Sequence, residues 1–313
     1  MRKIKSTLDM ERADWLELRR SGIGGSDAAA IIGLNPYRSE IDVWMDKTGK
    51  KKSDDYDSEA MRLGRDLEEY VAKRWEESTG KTVRRNNFFL AHDDYDFITA
   101  NIDREVVGEK AILECKTASP YMVDKWKDGE VPPQYVVQCL HYLAVTGYER
   151  CYLACLIYGR GIELRVIERD EDTIQALIKS EINFWKEYVE KDIMPPPDGS
   201  DSAGKAIKEL YVATEDGKAI DLDSEAEEKL KRLDEIKELT DKLDKEKKGI
   251  EQKIQLEMKD AETAYAGTRK ITWKSQVRKD FDKISFKKDH PDLYPQYEKE
   301  GKPFRVLKVY AAR

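Results

Sequence analysis

The sequence of 313 residues predicts a layered α/β or α+β core. Most of the segments predicted in the first 80 residues are helices. A run of strand-like segments follows, and a helix, two strands and a further helix then lead to Val189. Helices that alternate with strands in this way are typical of a sheet covered by helices, because each sheet face has to be buried against another layer.

The first helix is predicted at about Met10–Arg20. A glycine-rich turn, Ser21–Asp27, then leads into a second helix with Ser26 or Asp27 as its N-cap. A polar, basic loop is expected at Lys47–Lys52. The later elements are a helix at Ser58–Thr79 stopped by Gly80, strands at Thr82–Leu90, Tyr95–Ile102, Ala111–Thr117, Arg150–Ile157 and Glu163–Ile167, and helices at Pro133–Val145 and Asp172–Val189.

A segment rich in Pro, Ser and Asp at 193–202 predicts the end of the core. We therefore assign residues 1–198 to the core, 199–222 to a linker, 223–262 to a long charged helix and 263–313 to a small appendage. Within the appendage, Lys270–Val277 and Phe304–Tyr310 are expected to pair as strands.

The long charged helix, at about Ser224–Met258, carries apolar residues at spacings of three and four. They form a single stripe along the helix, as in a coiled coil. The stripe is compatible with an oligomer contact, a flap over a substrate channel, a docking arm for a partner protein, or packing on the protein's own core.

The composition narrows the class of protein without naming a partner. A formal net charge of −7 is not the basic signature of most nucleic-acid-binding proteins, but a site for divalent cations must itself be acidic. The start of the chain lacks a secretory pattern and no apolar run is long enough to span a membrane, so we expect a cytoplasmic protein. Four cysteines without metal-ligand spacing are expected to be buried, reduced thiols: Cys115, Cys139, Cys151 and Cys155.

Two carboxylates and a lysine form the most informative constellation. Asp103 ends one predicted strand, and Glu114 and Lys116 lie in the next. Because strand side chains alternate, Glu114 and Lys116 share one face while Cys115 points to the other. A turn around Gly108 would bring Asp103 beside Glu114.

Hydrolysis of a phosphodiester needs this combination of groups. Carboxylate oxygens are the ligands that Mg²⁺ and Mn²⁺ prefer, and the metal polarises the phosphate and acidifies a bound water. A lysine can orient that water or neutralise the charge that develops in the transition state. The alternative is a surface hairpin in which Glu114 and Lys116 form a weak ion pair.

The helix at Ser58–Thr79 supplies a third carboxylate. Glu68 falls on the apolar face that includes Trp75, where an unpaired carboxylate is unfavourable, so it is a functional candidate. The alternative for Glu68 is an ion pair with a core lysine or arginine. Glu69 lines up with Arg65 and Lys73 and is expected to form an ordinary solvated ion pair.

Two further polar features belong to the candidate site. A stripe of Gln134, Gln138, His141 and Tyr142 follows one face of the helix at Pro133–Val145. Within this stripe Gln138 could hold a water or a phosphate oxygen, whereas a structural role is favoured for His141. The glycine-rich turn after Arg19 and Arg20 exposes backbone N–H groups at a helix start, and Ser26 with a preceding arginine would complete an anion pocket.

Together these motifs resemble the YqaJ-type viral recombinases, the phage alkaline exonucleases related to lambda exonuclease, within the PD-(D/E)xK nuclease superfamily. The resemblance covers about the first 195 residues. It rests on Trp15–Asp27, Gly64–Glu68, Asp103, Glu114–Lys116 and Gln138, which occur in the family's order.

The resemblance implies a restriction-endonuclease-like core with a central mixed sheet flanked by helices, and two Mg²⁺ or Mn²⁺ ions per site. It also implies 5′-to-3′ digestion of duplex DNA ends, a 3′ overhang for a single-strand annealing protein, and homo-oligomeric rings, often trimers. By the same resemblance the metal ligands are Asp103, Glu114 and the main-chain carbonyl of Cys115, and Glu68 serves the second metal. The attacking water is positioned by Lys116 and Gln138. The 5′ phosphate is bound by Ser26 together with Arg19 or, alternatively, Arg20.

Two other functions stay open from the sequence. A structure- or site-specific endonuclease would use the same metal site, although no helix-turn-helix or zinc finger that could read a sequence is evident. A non-catalytic DNA-binding or assembly protein could keep the fold, but the intact Asp103, Glu114 and Lys116 argue against a degenerate site.

Overall fold

The computed structural model describes residues 1–51, 58–214, 218–301 and 304–310. It divides into unit 1, Met1–Val212 with Arg305–Arg313, and unit 2, Ala213–Phe304. The contacts therefore place the main division after Val212, whereas the sequence places the end of the core at residue 198. Parts of the predicted linker (215–217) and appendage (302–303 and 311–313) lie outside the described residues, as does Lys52 of the predicted basic loop.

Two sheets build unit 1. One is a mixed five-stranded sheet in the order β2-β5-β6-β7-β8, in which only β6 and β7 are parallel, and the other is an antiparallel sheet in the order β1-β3-β4. The strands are β1 (Arg2–Ser6), β2 (Val83–Arg85), β3 (Phe88–Ala91), β4 (Thr99–Ala100), β5 (Arg104–Val106), β6 (Ala111–Ala118), β7 (Arg150–Ile157) and β8 (Gly161–Glu168).

Helices cover both faces of the five-stranded sheet, which confirms the predicted fold class. On one face Trp75 packs against Leu113 in one core cluster, and on the other Leu143 packs with Leu153 and Ile174 in a second. The helices of unit 1 are α1 (Arg12–Arg20), α2 (Gly25–Ile31), α3 (Glu40–Lys47), α4 (Glu59–Thr79), α5 (Pro133–Thr146), α6 (Glu171–Phe184) and α7 (Asp201–Leu210).

Both ends of α4 are set by local sequence signals. Ser58 caps α4 by accepting a hydrogen bond from the Met61 backbone, and Gly80 ends the helix at φ +69°, as predicted. At α2 the prediction was wrong, because Gly24 is the N-cap, and Asp27 inside the first turn accepts a hydrogen bond from the Gly24 backbone.

Several elements differ from the sequence prediction. The predicted strand Thr82–Leu90 is two strands that belong to different sheets. Of the predicted strand Tyr95–Ile102, Thr99–Ala100 forms β4 and Ile98 makes an isolated bridge to Ile23. β1 was not predicted, since its Arg2–Ser6 sequence is polar and exposed and its extended form depends on pairing with β3.

The predicted linker contains α7. Its Ala203 and Ala206 are buried in a cluster with Ile41 of α3, so part of the predicted linker contributes to the core. Lys47 was predicted to begin a polar, basic loop, but it is the last residue of α3 and its side chain is fully buried.

Unit 2 consists of α8 (Ser224–Met258), the antiparallel pair β9 (Thr263–Ala266) and β10 (Arg269–Thr272), α9 (Lys283–Asp289) and a 3-10 segment at Tyr294–Tyr297. The long helix was predicted with these bounds, and its apolar stripe is exposed. The predicted pairing of Lys270–Val277 with Phe304–Tyr310 was wrong, because β10 pairs with β9 and residues 304–310 form no strand.

Within the described residues, no helix is long and apolar enough to cross a membrane.

Candidate active site

The two carboxylates meet where β5 and β6 run side by side. Arg104 is paired with Leu113 in this antiparallel register, so Asp103 lies next to Glu114. The Cys115 backbone N–H donates a hydrogen bond of 2.8 Å to Asp103 Oδ2. The register therefore fixes the Asp103 carboxylate against the strand that carries the second acid.

The alternation of β6 separates its polar and apolar side chains. Leu113 lies in the core cluster with Trp75 of α4, and Cys115 packs against the same cluster. Glu114 and Lys116 lie on the opposite face, beneath α5, as the sequence predicted. The polar face of one strand thus becomes the floor of the candidate site.

A short hydrogen-bond network joins this floor to α5. Glu114 Oε1 accepts hydrogen bonds from Lys116 Nζ at 2.5 Å and from Gln138 Nε2 at 2.8 Å. Gln138 Nε2 also lies 2.9 Å from the hydroxyl oxygen of Tyr142, one turn further along α5. Glu114 is only 2% exposed and Gln138 8%, so the network is largely shielded from water.

The carboxylates are electrostatically crowded. Burial, and then the neighbouring Glu114 and Glu68, raise the pKa of Asp103 well above its usual range. Burial also raises the pKa of Glu114, although Lys116 opposes that shift. For Lys116 burial acts to lower the pKa, but the adjacent carboxylates outweigh it and the pKa is raised, so this side chain remains an ammonium ion.

The donor set fits a hard divalent cation. Glu114 Oε2 is buried without a hydrogen-bond partner in the described part of the chain, which leaves one carboxylate oxygen available as a ligand. No group of three or more His, Cys, Asp or Glu in the described ranges is arranged to hold a metal ion. Two carboxylates and a carbonyl, completed by water, remain suited to Mg²⁺, which commonly keeps several water ligands.

Glu68 is engaged elsewhere in this structure. It forms an ion pair with Arg104, and is 31% exposed as a side chain. An ion pair of Glu68 with a core lysine or arginine was the alternative to a functional role in the sequence prediction, and this contact corresponds to it. Glu69 pairs with Arg85 at 2.7 Å and Arg104 at 3.0 Å, so its predicted pairing within the helix is replaced by contacts to β2 and β5.

The glycine-rich turn places one of the two candidate arginines at the site. Arg19 Nη2 donates a hydrogen bond of 2.5 Å to Ser26 Oγ, and both residues line the same cavity as the carboxylates. Arg20 is directed to Asp46 at 3.5 Å and does not line that cavity. The geometry therefore favours Arg19 over Arg20 as the anion-binding partner of Ser26.

A buried aspartate holds this basic corner together. Asp27 is fully buried and pairs with Lys47 at 2.7 Å, with Arg38, and with Arg19 at 3.8 Å. Burial alone would raise the pKa of Asp27, but the three cations lower it strongly, so the carboxylate stays ionised. Lys47 Nζ also donates to the Arg19 carbonyl oxygen at 3.0 Å, which ties α3 to the end of α1.

One cavity of about 230 Å³ unites the groups. Trp15 and Asn101 also line it without having been predicted as site residues, and Tyr142, which was predicted only as part of the polar stripe of α5, lines it too. Spacing could have found each of them. Trp15 precedes Arg19 by one helical turn, Asn101 alternates with Asp103 along an extended segment, and Tyr142 follows Gln138 by one turn.

His141 lies outside this cavity. Its ring nitrogens are 2.7 Å from Glu181 Oε1 and 2.7 Å from the Thr99 carbonyl oxygen, and both side chains of the His141–Glu181 pair are fully buried. Burial acts to lower the pKa of His141, but Glu181 raises it overall. His141 therefore anchors α5 to α6 and β4, which agrees with the structural role favoured from the sequence.

The comparisons with known proteins assign the family. Residues 14–149 match the YqaJ-like viral recombinase domain. The chain is 43% identical over 294 residues to the uncharacterized protein YqaJ of Bacillus subtilis (strain 168). The matched region covers 93% of this chain and 92% of that protein. The chain belongs to the YqaJ-like viral recombinase family.

A solved structure shares the fold over part of this chain. The structure of LHK-Exo in complex with dAMP matches with a TM-score of 0.50 and 20% identity, over 58% of this chain and 94% of that one. A structure described as an alkaline exonuclease (LHK-Exo) from Laribacter hongkongensis gives a TM-score of 0.49, also at 20% identity, with the same 58% and 94% coverage. The first of these likenesses supports the fold.

A substitution at Gly25 tests the close packing that positions Gln138. A Cβ atom at Gly25 would lie 2.6 Å from Tyr142 Cε1 and 2.9 Å from Gln138 Cγ. We expect Gly25→Ala to lower the free energy of unfolding by about 1–3 kcal/mol through overpacking, as measured by urea denaturation. Displacement of Gln138 should also reduce nuclease activity.

Gly204→Ala is the matched control, because Gly204 lies in α7 and an added Cβ would meet nothing within 4 Å. It should leave activity unchanged and stability equal or slightly higher. Equal effects of the two substitutions would contradict the proposed contact of α2 with α5.

Proposed function

We propose that this protein is a metal-dependent exonuclease that digests double-stranded DNA from 5′ to 3′ and leaves 3′ single-stranded overhangs. The observation that carries the proposal is a single cavity that contains both a carboxylate–lysine cluster and an arginine–serine pair at a glycine-rich turn. The first group suits phosphodiester hydrolysis and the second suits a terminal phosphate. Membership of the viral recombinase family and a fold shared with an alkaline exonuclease support a phage-type nuclease.

The carboxylates would hold the metal. Asp103, Glu114 and the main-chain carbonyl of Cys115 are the proposed ligands for Mg²⁺ or Mn²⁺, and Glu68 would serve a second ion after releasing Arg104. A bound metal supplies Lewis-acid polarisation of the phosphate and a water of lowered pKa. Its positive charge would also offset the repulsion between carboxylates that raises the pKa of Asp103.

Lys116 and Gln138 would act on the attacking water. Because Lys116 remains an ammonium ion, it can donate hydrogen bonds to a water or to the phosphate oxygens as negative charge develops. The amide of Gln138 is held between Glu114 and Tyr142, so it presents a fixed polar group beside the same carboxylate. Both residues would then orient the nucleophile against the bound strand.

Arg19 and Ser26 would select the strand end. The guanidinium and hydroxyl groups are already hydrogen-bonded to each other, and Asp27 holds the arginine from behind. A 5′ phosphate in this pocket would set the distance from the strand end to the carboxylates, which favours an exonuclease over an endonuclease. A homo-oligomeric ring around DNA, a single-strand annealing protein as partner and a cytoplasmic location complete the proposal by analogy with the family.

Lys116→Ala tests the catalytic cluster. We expect a loss of roughly 100-fold to 1,000-fold in the rate of duplex digestion, the size of effect seen when one transition-state donor is removed. Binding of DNA and of Mg²⁺ should persist, because the carboxylates and the basic corner are retained. The rate is measured by release of nucleotides from a linear duplex with Mg²⁺.

Lys110→Ala provides the control, since Lys110 is exposed beside the start of β6. It removes the same charge and should leave digestion unchanged. A Lys116→Ala enzyme with near-normal activity would rule out the proposed site.

The terminal-phosphate pocket is tested by Arg19→Ala combined with Ser26→Ala. The unmodified protein should digest a 5′-phosphorylated duplex faster than a 5′-hydroxyl duplex, and the double variant should lose roughly tenfold or more of that preference, as expected for charge-assisted hydrogen bonds. Initial rates on the two duplexes give the ratio directly.

Arg20→Ala separates the two candidate arginines and should keep the preference, because Arg20 faces Asp46. If the unmodified protein digests both duplexes equally, or if Arg20→Ala alone abolishes the preference, the assignment of Arg19 and Ser26 is wrong.

A further inference from the structure

Unit 2 contains a local basic region in an acidic protein. The whole chain has a formal net charge of −7, but the segment Arg269–Lys288 contains eight Lys and Arg residues against two Asp residues. A concentrated positive charge of this kind attracts polyanions whatever the total charge of the molecule.

Two lysines of this segment are held together without an acidic partner. Lys283 and Lys287 are four residues apart on α9 and share one face of the helix. Their Nζ atoms lie 5.4 Å and 4.6 Å from the centroid of the Tyr294 ring. Neither lysine has an ion-pair partner among the residues that the structure describes, so both ammonium groups can bind an anion.

Tyr294 is the aromatic partner that both lysines share. Its ring is only 9% exposed, and cations are attracted to the electron-rich face of an aromatic ring. The tyrosine therefore acts as a support that keeps both ammonium groups at one place on the surface.

Exposed aromatic rings border the same place. Phe281 is 71% exposed and Tyr297 is 77% exposed, although large apolar groups are normally buried. Phe281 also contacts Phe286, with ring centroids 5.0 Å apart. These three aromatic residues, together with Lys283 and Tyr294, line an open concavity of about 690 Å³.

We propose that this concavity, lined by Phe281, Lys283, Phe286, Tyr294 and Tyr297 with Lys287 adjacent, is a binding site for single-stranded DNA. Lysines that contact phosphates and exposed aromatic rings that stack on bases are the two elements from which sequence-tolerant single-strand sites are built. A duplex would satisfy only the lysines, since its bases are already stacked.

Two acidic residues also line the concavity. Glu298 and Glu300 do so together with Lys299, and their carboxylates would repel phosphates, so the strand's backbone is expected at the lysines of α9. The strand is therefore expected to run with its backbone along Lys283 and Lys287 and its bases toward Phe281 and Tyr297.

The binding itself does not depend on the proposed nuclease activity. One consequence does rest on it: an exonuclease that leaves a 3′ single strand would retain that product on its own unit 2. Binding is therefore tested without a divalent metal, so that its failure is distinguishable from failure of the hydrolysis.

The test measures binding of a fluorescent oligothymidylate to the full-length protein by anisotropy in EDTA. The oligonucleotide carries a 5′ hydroxyl, so that the proposed phosphate pocket in unit 1 has no terminal phosphate to bind. It is longer than the roughly 4–16 nucleotides that single-strand sites commonly occupy. We expect Phe281→Ala with Tyr297→Ala to weaken binding roughly tenfold or more, as loss of stacking platforms does. Lys283→Ala with Lys287→Ala should weaken binding and reduce its salt dependence.

Matched controls separate stacking and charge from loss of folding. Lys237→Ala with Lys242→Ala removes the same charge from exposed positions of α8 and should leave binding unchanged. Phe281→Tyr with Tyr297→Phe keeps both rings and should retain the affinity, and thermal melting should show the same transition for all variants.

Unchanged binding by the Phe281→Ala, Tyr297→Ala variant would overturn the proposal. So would a polyglutamate peptide that competes as well as unlabelled oligothymidylate, because the surface would then be a site for an acidic protein segment. Preferential competition by single-stranded over double-stranded DNA supports the single-strand site.

Discussion

The candidate site depends on the closeness of Asp103 and Glu114 in a place that water reaches poorly. Two carboxylates so placed repel each other, and burial raises the pKa of each. The surrounding groups offset that repulsion only in part. Lys116 and Gln138 satisfy one oxygen of Glu114, and its second oxygen stays without a partner in the described structure. A bound cation would reduce the repulsion between the two carboxylates. The electrostatics of the folded site therefore favour the metal binding on which the proposed chemistry depends.

Separate parts of the fold position the residues around the two carboxylates. Sheet register sets the two acids, and the close approach of Gly25 to α5 positions Gln138. On the basic side, fully buried Asp27 holds Arg19 and Lys47 together. The same cavity is therefore lined by carboxylates that can bind a cation and by an arginine that can bind an anion.

Sequence patterns predicted the parts of the site that local periodicity controls. The alternation of β6 placed Glu114 and Lys116 on one face, and helical spacing placed Gln138 toward them. What the sequence missed depends on long-range packing. Lys47, at the end of α3, is buried in an ion pair with Asp27, twenty residues earlier in the chain. Helix α7, in the predicted linker, packs Ala203 and Ala206 into a core cluster. Glu68 illustrates the same limit, since its partner Arg104 comes from a strand that no pattern revealed.

The most direct measurement follows digestion of a linear duplex labelled separately at its 5′ and 3′ ends, beside a closed circular duplex, with Mg²⁺, with Mn²⁺ and with EDTA. Ordered loss of label from the 5′ ends, dependent on the metal and with the circle intact, is the predicted result. Cutting of the circle would instead indicate an endonuclease. Digestion that continues in EDTA, or no digestion with either metal, would contradict a metal-dependent exonuclease built on Asp103 and Glu114.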